Sequence, residues 1–474
     1  MNKRITAALA AFFVFLMAAS ASAQDPTAAI NESLKAHFLN GASVSIIIQD
    51  LDSGSLFYSL NPDKIFIPAS NLKLVTAAAA ILGLGEDFRF NTDFYLKDFA
   101  SATGAANGLF VKGYGDPTLT KDFYATAKAG VDTLAAQLVR AGLRQINGEI
   151  ILSGTYFPDN LRPESWEAED INWCYATRPS ALAISKNCLI VKVSGAGGKV
   201  AVSLDPPIDP AMLDIKVSLS SKARSGISIS QSQSGRIAIK GTIRKGQSLE
   251  YEYPVLYPDK FFGTALSGAL KRAGIVVKAT MRDGGSPPVG YQLFYRAQSP
   301  DLLTVLAEME KNSDNFVAEQ MFRTLGAKRG SGGGTHASGA IAVETIMSKY
   351  KLADNNTLKV VDGSGLSRQN RLTARVLLAT LSAFYNSYLK QSYLQLLAEP
   401  GAKGTLEKRL RGTPAQGRLW AKTGALSGAC ALSGYFQRGD GHMAAFVMIF
   451  NDYKVHSNEI RALQDKIALQ MLEY

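Results

Sequence analysis

The chain has 474 residues, enough for two or three domains. Its formal charge is +11, but the basic residues are scattered and form no stripe with interleaved aromatics. This excludes a nucleic-acid footprint and suits an anionic cell-surface setting. Three cysteines and four histidines match no metal-ligand spacing, so neither a metal nor a cofactor is expected.

Lys3 and Arg4 precede an apolar run, and Ala21-Ser22-Ala23 forms an Ala-x-Ala cleavage site before Gln24. This is the pattern of a secretory signal over residues 1–23. The run is short for a membrane span. No cysteine follows it to carry a lipid, and no later stretch is apolar enough to cross a bilayer. The mature chain is therefore expected to be exported, to the periplasm or beyond, without a transmembrane anchor. Cys174 and Cys188 lie fourteen residues apart, and an oxidising compartment permits a disulfide there. Cys430, in an apolar strand-like run, reads as a buried small hydrophobe.

Residues 27–38 have the pattern of a short amphipathic helix. Residues 42–49 and a strand from Leu56, around the turn Asp52-Ser53-Gly54, read as a hairpin. A helical pattern starts at Ser70, and Gly85 is its stop. From about 90 to 290, short β-type runs alternate with Gly, Asn, Asp and Pro. Examples are 108–113, 149–153, 189–193, 199–204, 215–219, 226–230 and 236–243. Helices are expected within this region at 131–141 and 260–273. Helical patterns return at 300–311, 316–325, 337–350 and 373–388. Three antiparallel strands follow at 419–426, 430–437 and 443–451, and a helix at 459–472 closes the chain. Strands near both ends with helices between predict one α/β domain over 24–90 and 291–474, its sheet joining the two ends. Residues 91–290 interrupt it as a β-rich insertion, expected as two subdomains. Gly330-Ser331-Gly332-Gly333-Gly334 lacks the Gly-Lys-Ser/Thr ending of a phosphate loop. It reads as a mobile surface loop with a solvated His336 beside it.

Ser70 and Lys73 stand three apart where the helical pattern begins, so the lysine amine can lie beside the hydroxyl. A serine hydroxyl is a weak nucleophile until a base takes its proton. A lysine can be that base if burial or a neighbouring positive charge keeps it neutral. Ser-x-x-Lys alone is common, and a plain helix start with a solvated lysine has the same letters. Two further motifs change the balance. Ser313-Asp314-Asn315 sits at a loop before a helix, and Lys422-Thr423-Gly424 lies inside a strand. The set in this order fits acyl transfer by β-lactamases and penicillin-binding proteins. Ser70 attacks a carbonyl, Lys73 is the base, and the Lys422 charge helps keep Lys73 neutral. Ser313 relays a proton to the leaving amine. Asn315 holds a substrate amide, and Lys422 with Thr423 grips a carboxylate. Gly424 permits close approach of the strand to substrate. The backbone N–H groups of Ser70 and Ala425 form an oxyanion hole, where losing one donor typically costs ~3 kcal/mol in barrier.

With these residues the chain resembles the D-alanyl-D-alanine carboxypeptidases/endopeptidases of the class C low-molecular-mass penicillin-binding proteins. The resemblance covers nearly the whole mature chain. It includes Gly115-Asp116-Pro117-Thr118-Leu119, the Cys174…Cys188 segment and Asp362-Gly363-Ser364-Gly365-Leu366-Ser367-Arg368. Some 240 residues separate Lys73 from Ser313, the interval at which this family carries a large insertion. The resemblance implies a serine β-lactamase/transpeptidase-like domain, an antiparallel sheet with helices on both faces. It implies action on peptidoglycan muropeptides and covalent inhibition by β-lactam antibiotics. It also implies that Asp170, Tyr175 and Arg368 contact the far end of a diaminopimelate side chain. Ser427 departs from the pattern, standing where a related enzyme has a longer amide side chain. Two alternatives stand beside this reading. A β-lactamase of class A type would need a Glu-x-x-Leu-Asn segment, which is absent. A non-catalytic wall-binding protein on the same fold would not need the full set of reactive residues.

Overall fold

The computed structural model describes residues 26–159, 162–221 and 225–473. The predicted signal at 1–23 and its cleavage site lie outside the described residues. Five antiparallel strands form the central sheet, in the order Leu419–Leu426, Ala429–Gln437, Met443–Asn451, Ser43–Asp50, Leu56–Leu60. Among the described residues the first and last strands thus meet side by side, with Ile46 opposite Met448.

Alternation along these strands sends neighbouring side chains to opposite faces. Ile47, Val447, Ile449 and Tyr435 join one core with the helices Leu72–Leu84, Leu302–Lys311, Asn315–Arg329, His336–Lys349 and Ala374–Tyr385. Ile46, Ile48, Phe446, Phe450 and Cys430 face the other way, onto Ser457–Leu472 and Pro26–Ser33. Helices on both faces follow from a sheet apolar on both sides. The expected helix at 27–38 is shorter, ending at Ser33 before a separate turn at His37–Leu39. A short helix at Lys390–Leu396 has no counterpart in the sequence expectation.

The insertion holds a mixed five-stranded sheet, ordered Val276–Asp283, Gln145–Ser153, Ala105–Gly113, Asn91–Lys97, Tyr291–Gln298. The last strand pairs with Asn91–Lys97. Residues 291–298 therefore belong to the inserted sheet, past the boundary the sequence predicts. Two three-stranded sheets, centred on Cys188–Ser194 and Ile237–Arg244, complete the region. Where the texture leads one to expect two subdomains, Leu109, Ile150, Val191, Ile239 and Phe262 share one connected core.

Candidate active site

The Ser70 turn begins with Ala69, whose φ of 48° lies in the left-handed region that alanine rarely adopts. The turn Ala69–Asn71 then runs directly into Leu72–Leu84. Lys73, one residue into that helix, is fully buried. Its Nζ lies 3.0 Å from Ser70 Oγ, 2.8 Å from Asn315 Oδ1 and 2.7 Å from the Ser364 carbonyl. Burial pushes the amine down to about 8, against the pull of Glu310, Asp362, Asp314 and Glu319. A neutral Lys73 can donate its two N–H bonds to the Asn315 and Ser364 oxygens. Its lone pair is then left for the Ser70 proton.

Lys422 is also fully buried, and its Nζ donates to Ser313 Oγ at 2.8 Å and to the Thr423 carbonyl at 2.8 Å. The sequence expects its charge to hold Lys73 neutral. In the structure burial is the largest cause of the lowered Lys73 amine. Lys422 is pushed down to about 7, first by burial, then by Lys73, with Glu310 opposing. Asn315 Oδ1 faces Lys73, and its Nδ2 donates one N–H to the Tyr175 carbonyl at 3.1 Å, which leaves the second N–H of that amide for a further partner. Ser70, Ser313 and Thr423 are half-buried and Ala425 is exposed, so the buried amines underlie a floor open to solvent.

Two close approaches assemble this floor. A Cβ on Gly424 would lie 2.9 Å from Asn71 Nδ2 and 3.1 Å from the Pro68 carbonyl. Gly424 thus lets the strand meet the Ser70 turn itself. Gly365, at φ 80°, lies where a Cβ would be 2.0 Å from the Ala69 carbonyl.

The loop supplying the Ser364 carbonyl is held by two buried acids. Asp362 accepts from Gly365 N, Ser367 N, Asn370 Nδ2 and, at 2.9 Å, Trp166 Nε1 of the insertion. Glu319 accepts from Gly363 N at 3.1 Å and Ser364 N at 2.8 Å. Its other oxygen meets His336 at 3.1 Å. His336 is thus partnered and mostly buried, contrary to the solvated histidine expected. The glycine run beside it is anchored too: Arg323 Nε donates to the Gly334 carbonyl at 2.6 Å.

Of the residues tied to a diaminopimelate contact, Tyr175 donates its hydroxyl to Asp170 at 2.6 Å. Arg368 donates to the Ser427 carbonyl at 2.6 Å. Cys174 and Cys188 are joined, their Cα atoms 5.6 Å apart. A cavity of about 300 Å³ lies beside Ser313 and Asn315, lined also by Tyr175, Lys186 and Asp122. Sequence reasoning missed Glu310, which lies one helical turn before Ser313. It is 1% exposed, and neither carboxylate oxygen has a hydrogen-bond partner among the described residues. Burial pushes it up to about 7, against Lys422 and Lys73. An acid among apolar helix positions was the only signal.

A helix-flanked antiparallel sheet, a serine one turn before a buried lysine, and a second lysine on the edge strand define a serine hydrolase of the penicillin-binding class. The model of the D-Ala-D-Ala carboxypeptidase 3 (S13) family matches residues 27–471, and the chain belongs to that family of serine-type carboxypeptidases/endopeptidases. It is 30% identical over 458 residues to the D-alanyl-D-alanine carboxypeptidase of Actinomadura sp. strain R39, covering 92% of this chain and 82% of that one. It is 27% identical over 462 residues to D-alanyl-D-alanine carboxypeptidase DacB of Haemophilus influenzae, covering 95% and 94%. The crystal structure of penicillin binding protein 4 (dacB) from H. influenzae superposes with a TM-score of 0.75 at 24% identity, covering 93% of this chain and 98% of that one. The predatory peptidoglycan endopeptidase Bd3459 of Bdellovibrio bacteriovorus shares the fold, with a TM-score of 0.55 at 16% identity and coverage of 91% and 92%.

Proposed function

We propose that the protein cleaves D-Ala-D-Ala termini or D-Ala cross-links of peptidoglycan stem peptides through an ester on Ser70. The observation that carries this is the buried Lys73 amine, lowered to about 8, at 3.0 Å from the Ser70 hydroxyl. In this reading Ser70 Oγ attacks the penultimate D-Ala carbonyl while Lys73 takes its proton. The Ser70 and Ala425 N–H groups hold the oxyanion. The C–N bond breaks, and the leaving amine takes a proton through Ser313, which Lys422 holds. Lys422 and the Thr423 hydroxyl grip the substrate's terminal carboxylate. Water then attacks the ester and frees Ser70.

Asp170, Tyr175 and Arg368 form the contact for the far end of a diaminopimelate side chain. Asp170 suits an ammonium and Arg368 a carboxylate. The Tyr175–Asp170 hydrogen bond supports this pairing. Residues 24–90 and 299–474 make the catalytic domain and 91–298 the insertion, a division supported by sheet membership. The protein works in the cell envelope, meeting muropeptides and β-lactam antibiotics. The predicted signal and the disulfide support export. No helix among the described residues is long and apolar enough to cross a membrane.

The test is an intact-mass time course with benzylpenicillin on the native protein and on Ser70→Ala. A long-lived single adduct, absent from Ser70→Ala, is the expected result. An adduct that vanishes as the drug is consumed favours a β-lactamase. No adduct at all favours a wall-binding protein on this fold.

A further inference from the structure

The Ser313-Asp314-Asn315 turn is held from outside its own helix by the insertion. Ser313 itself has a φ of 56°, a left-handed conformation that needs support from its surroundings. Asp314 caps the following helix, its Oδ1 accepting from Val317 N at 3.0 Å. Its other oxygen takes the Lys186 ammonium, which also meets Asp122 at 2.7 Å. The Asp314 side chain is only 5% exposed, so without Lys186 a buried carboxylate would lose its counter-charge. Asp122, Glu308 and Asp314 converge closely enough to resemble a cation site. The Lys186 amine already supplies that positive charge.

Lys186 is itself set by a strained turn. Ser185, Lys186 and Asn187 have successive φ values of 52°, 55° and 54°. Three left-handed non-glycine residues in a row persist only where the surroundings over-determine them. Here they do. Ser185 N donates to the Leu119 carbonyl at 2.8 Å, and Thr177 Oγ1 donates to the Lys186 carbonyl at 2.7 Å. The fully buried Asn187 donates through Nδ2 to the Arg178 carbonyl at 2.7 Å and Ser180 Oγ at 2.9 Å. Cys188 then bridges to Cys174, whose neighbour Tyr175 offers its carbonyl to Asn315. One turn along the helix, Gln320 bonds both Ser180 and Gly115 of the insertion.

We propose that Lys186 is a positioning residue for the reaction: through Asp314 it sets Ser313 against Lys422 and Asn315 against Lys73. The inference rests on reading Ser313 and Asn315 as active-site groups. It makes the insertion a working part of the catalytic site.

The experiment measures the benzylpenicillin acylation rate constant and the final adduct stoichiometry by intact mass. The proteins are native, Lys186→Met, Lys186→Arg and Lys192→Met. Lys192, exposed in its pair with Glu250 on the same insertion, is the control and should acylate at the native rate. Lys186→Met should still reach full stoichiometry, with a rate constant lower by about tenfold to a hundredfold, as expected when reacting groups are slightly misplaced. Lys186→Arg, which keeps the charge, should recover most of that loss. Lys186→Met at the native rate overturns the inference, and so does lowered stoichiometry with an unchanged rate constant, because that reports lost folding only. No adduct on the native protein overturns the reading of the site and this inference with it.

Discussion

The side-chain amide of Asn71 donates to the Lys422 carbonyl across 3.1 Å, in full burial. The residue after the nucleophile therefore holds the strand that carries the second lysine. Gly424 lies against the same amide, where a Cβ would press on Asn71 and on backbone at Pro68. Because backbone cannot swing aside, Gly424→Ala should destabilise by about 1–3 kcal/mol, the range for overpacking. It should also slow penicillin acylation by separating Lys422 from the Ser70 turn. Thermal melts and acylation rates read the two effects. A native melting temperature with native acylation would show that the strand tolerates the methyl.

Glu310 should leave its mark on pH dependence. The groups facing it are Lys73 and Lys422, with Tyr393 on the neighbouring short helix. Its folded value is raised from 4.5 to about 7. The native protein thus holds a proton that the unfolded chain has released. This contribution is full below 4.5 and lost as pH rises through about 7, and is worth at most about 3 kcal/mol. Glu310→Gln should therefore show a flatter stability profile than the native protein between those values.

Removing the Glu310 charge should also act on the lysines. Lys73 and Lys422, at about 8 and about 7, are both pulled upward by this carboxylate. Acylation by a neutral Lys73 should rise with pH through that range in the native protein. In Glu310→Gln the rising limb should move to lower pH. A pH–rate profile with benzylpenicillin measures the displacement, and an unmoved limb would mean the carboxylate has no say in the titration.

Trp166 reaches the site through Asp362, 196 residues away in sequence. Trp166→Phe keeps most of the ring and removes one hydrogen bond to a carboxylate, a loss of about 1.5–3 kcal/mol. The loop that offers the Ser364 carbonyl to Lys73 should loosen, and acylation should slow by about tenfold. Melting curves and acylation rates on the same samples separate the two.

The disulfide closes a loop of fourteen residues. Replacing Cys174 and Cys188 together by serine should cost about 3 kcal/mol by the loop-entropy relation. Denaturant titration with and without reductant should place the reduced native protein beside the variant.

What the sequence disclosed followed from short range. Ser70 and Lys73 are one turn apart, Asp314 caps its own helix, and Lys422-Thr423-Gly424 sits in an apolar strand. Each motif carries its geometry within a few residues. The central sheet was legible for the same reason, because its strands are long apolar runs. The partners were not legible. Lys73 finds Ser364 across 291 residues, and Asn315 finds Tyr175 across 140. The solvated reading of His336 failed because Glu319, on another helix, shows in sequence only as one more acid. Tyr291–Gln298 lay outside the predicted insertion because strand pairing is decided by the partner, here Asn91–Lys97.

The pairing of Ser43–Asp50 with Met443–Asn451 bears on the order in which the protein comes into being. The insertion draws its core from one continuous stretch and can mature while synthesis continues. The central sheet cannot, since three of its five strands lie from Leu419 onward, after the whole insertion. Ser70 is made early but has no Lys422, and no closed sheet beneath it, until those strands are made. A serine hydrolase of this build is thereby inert until those strands have joined the sheet.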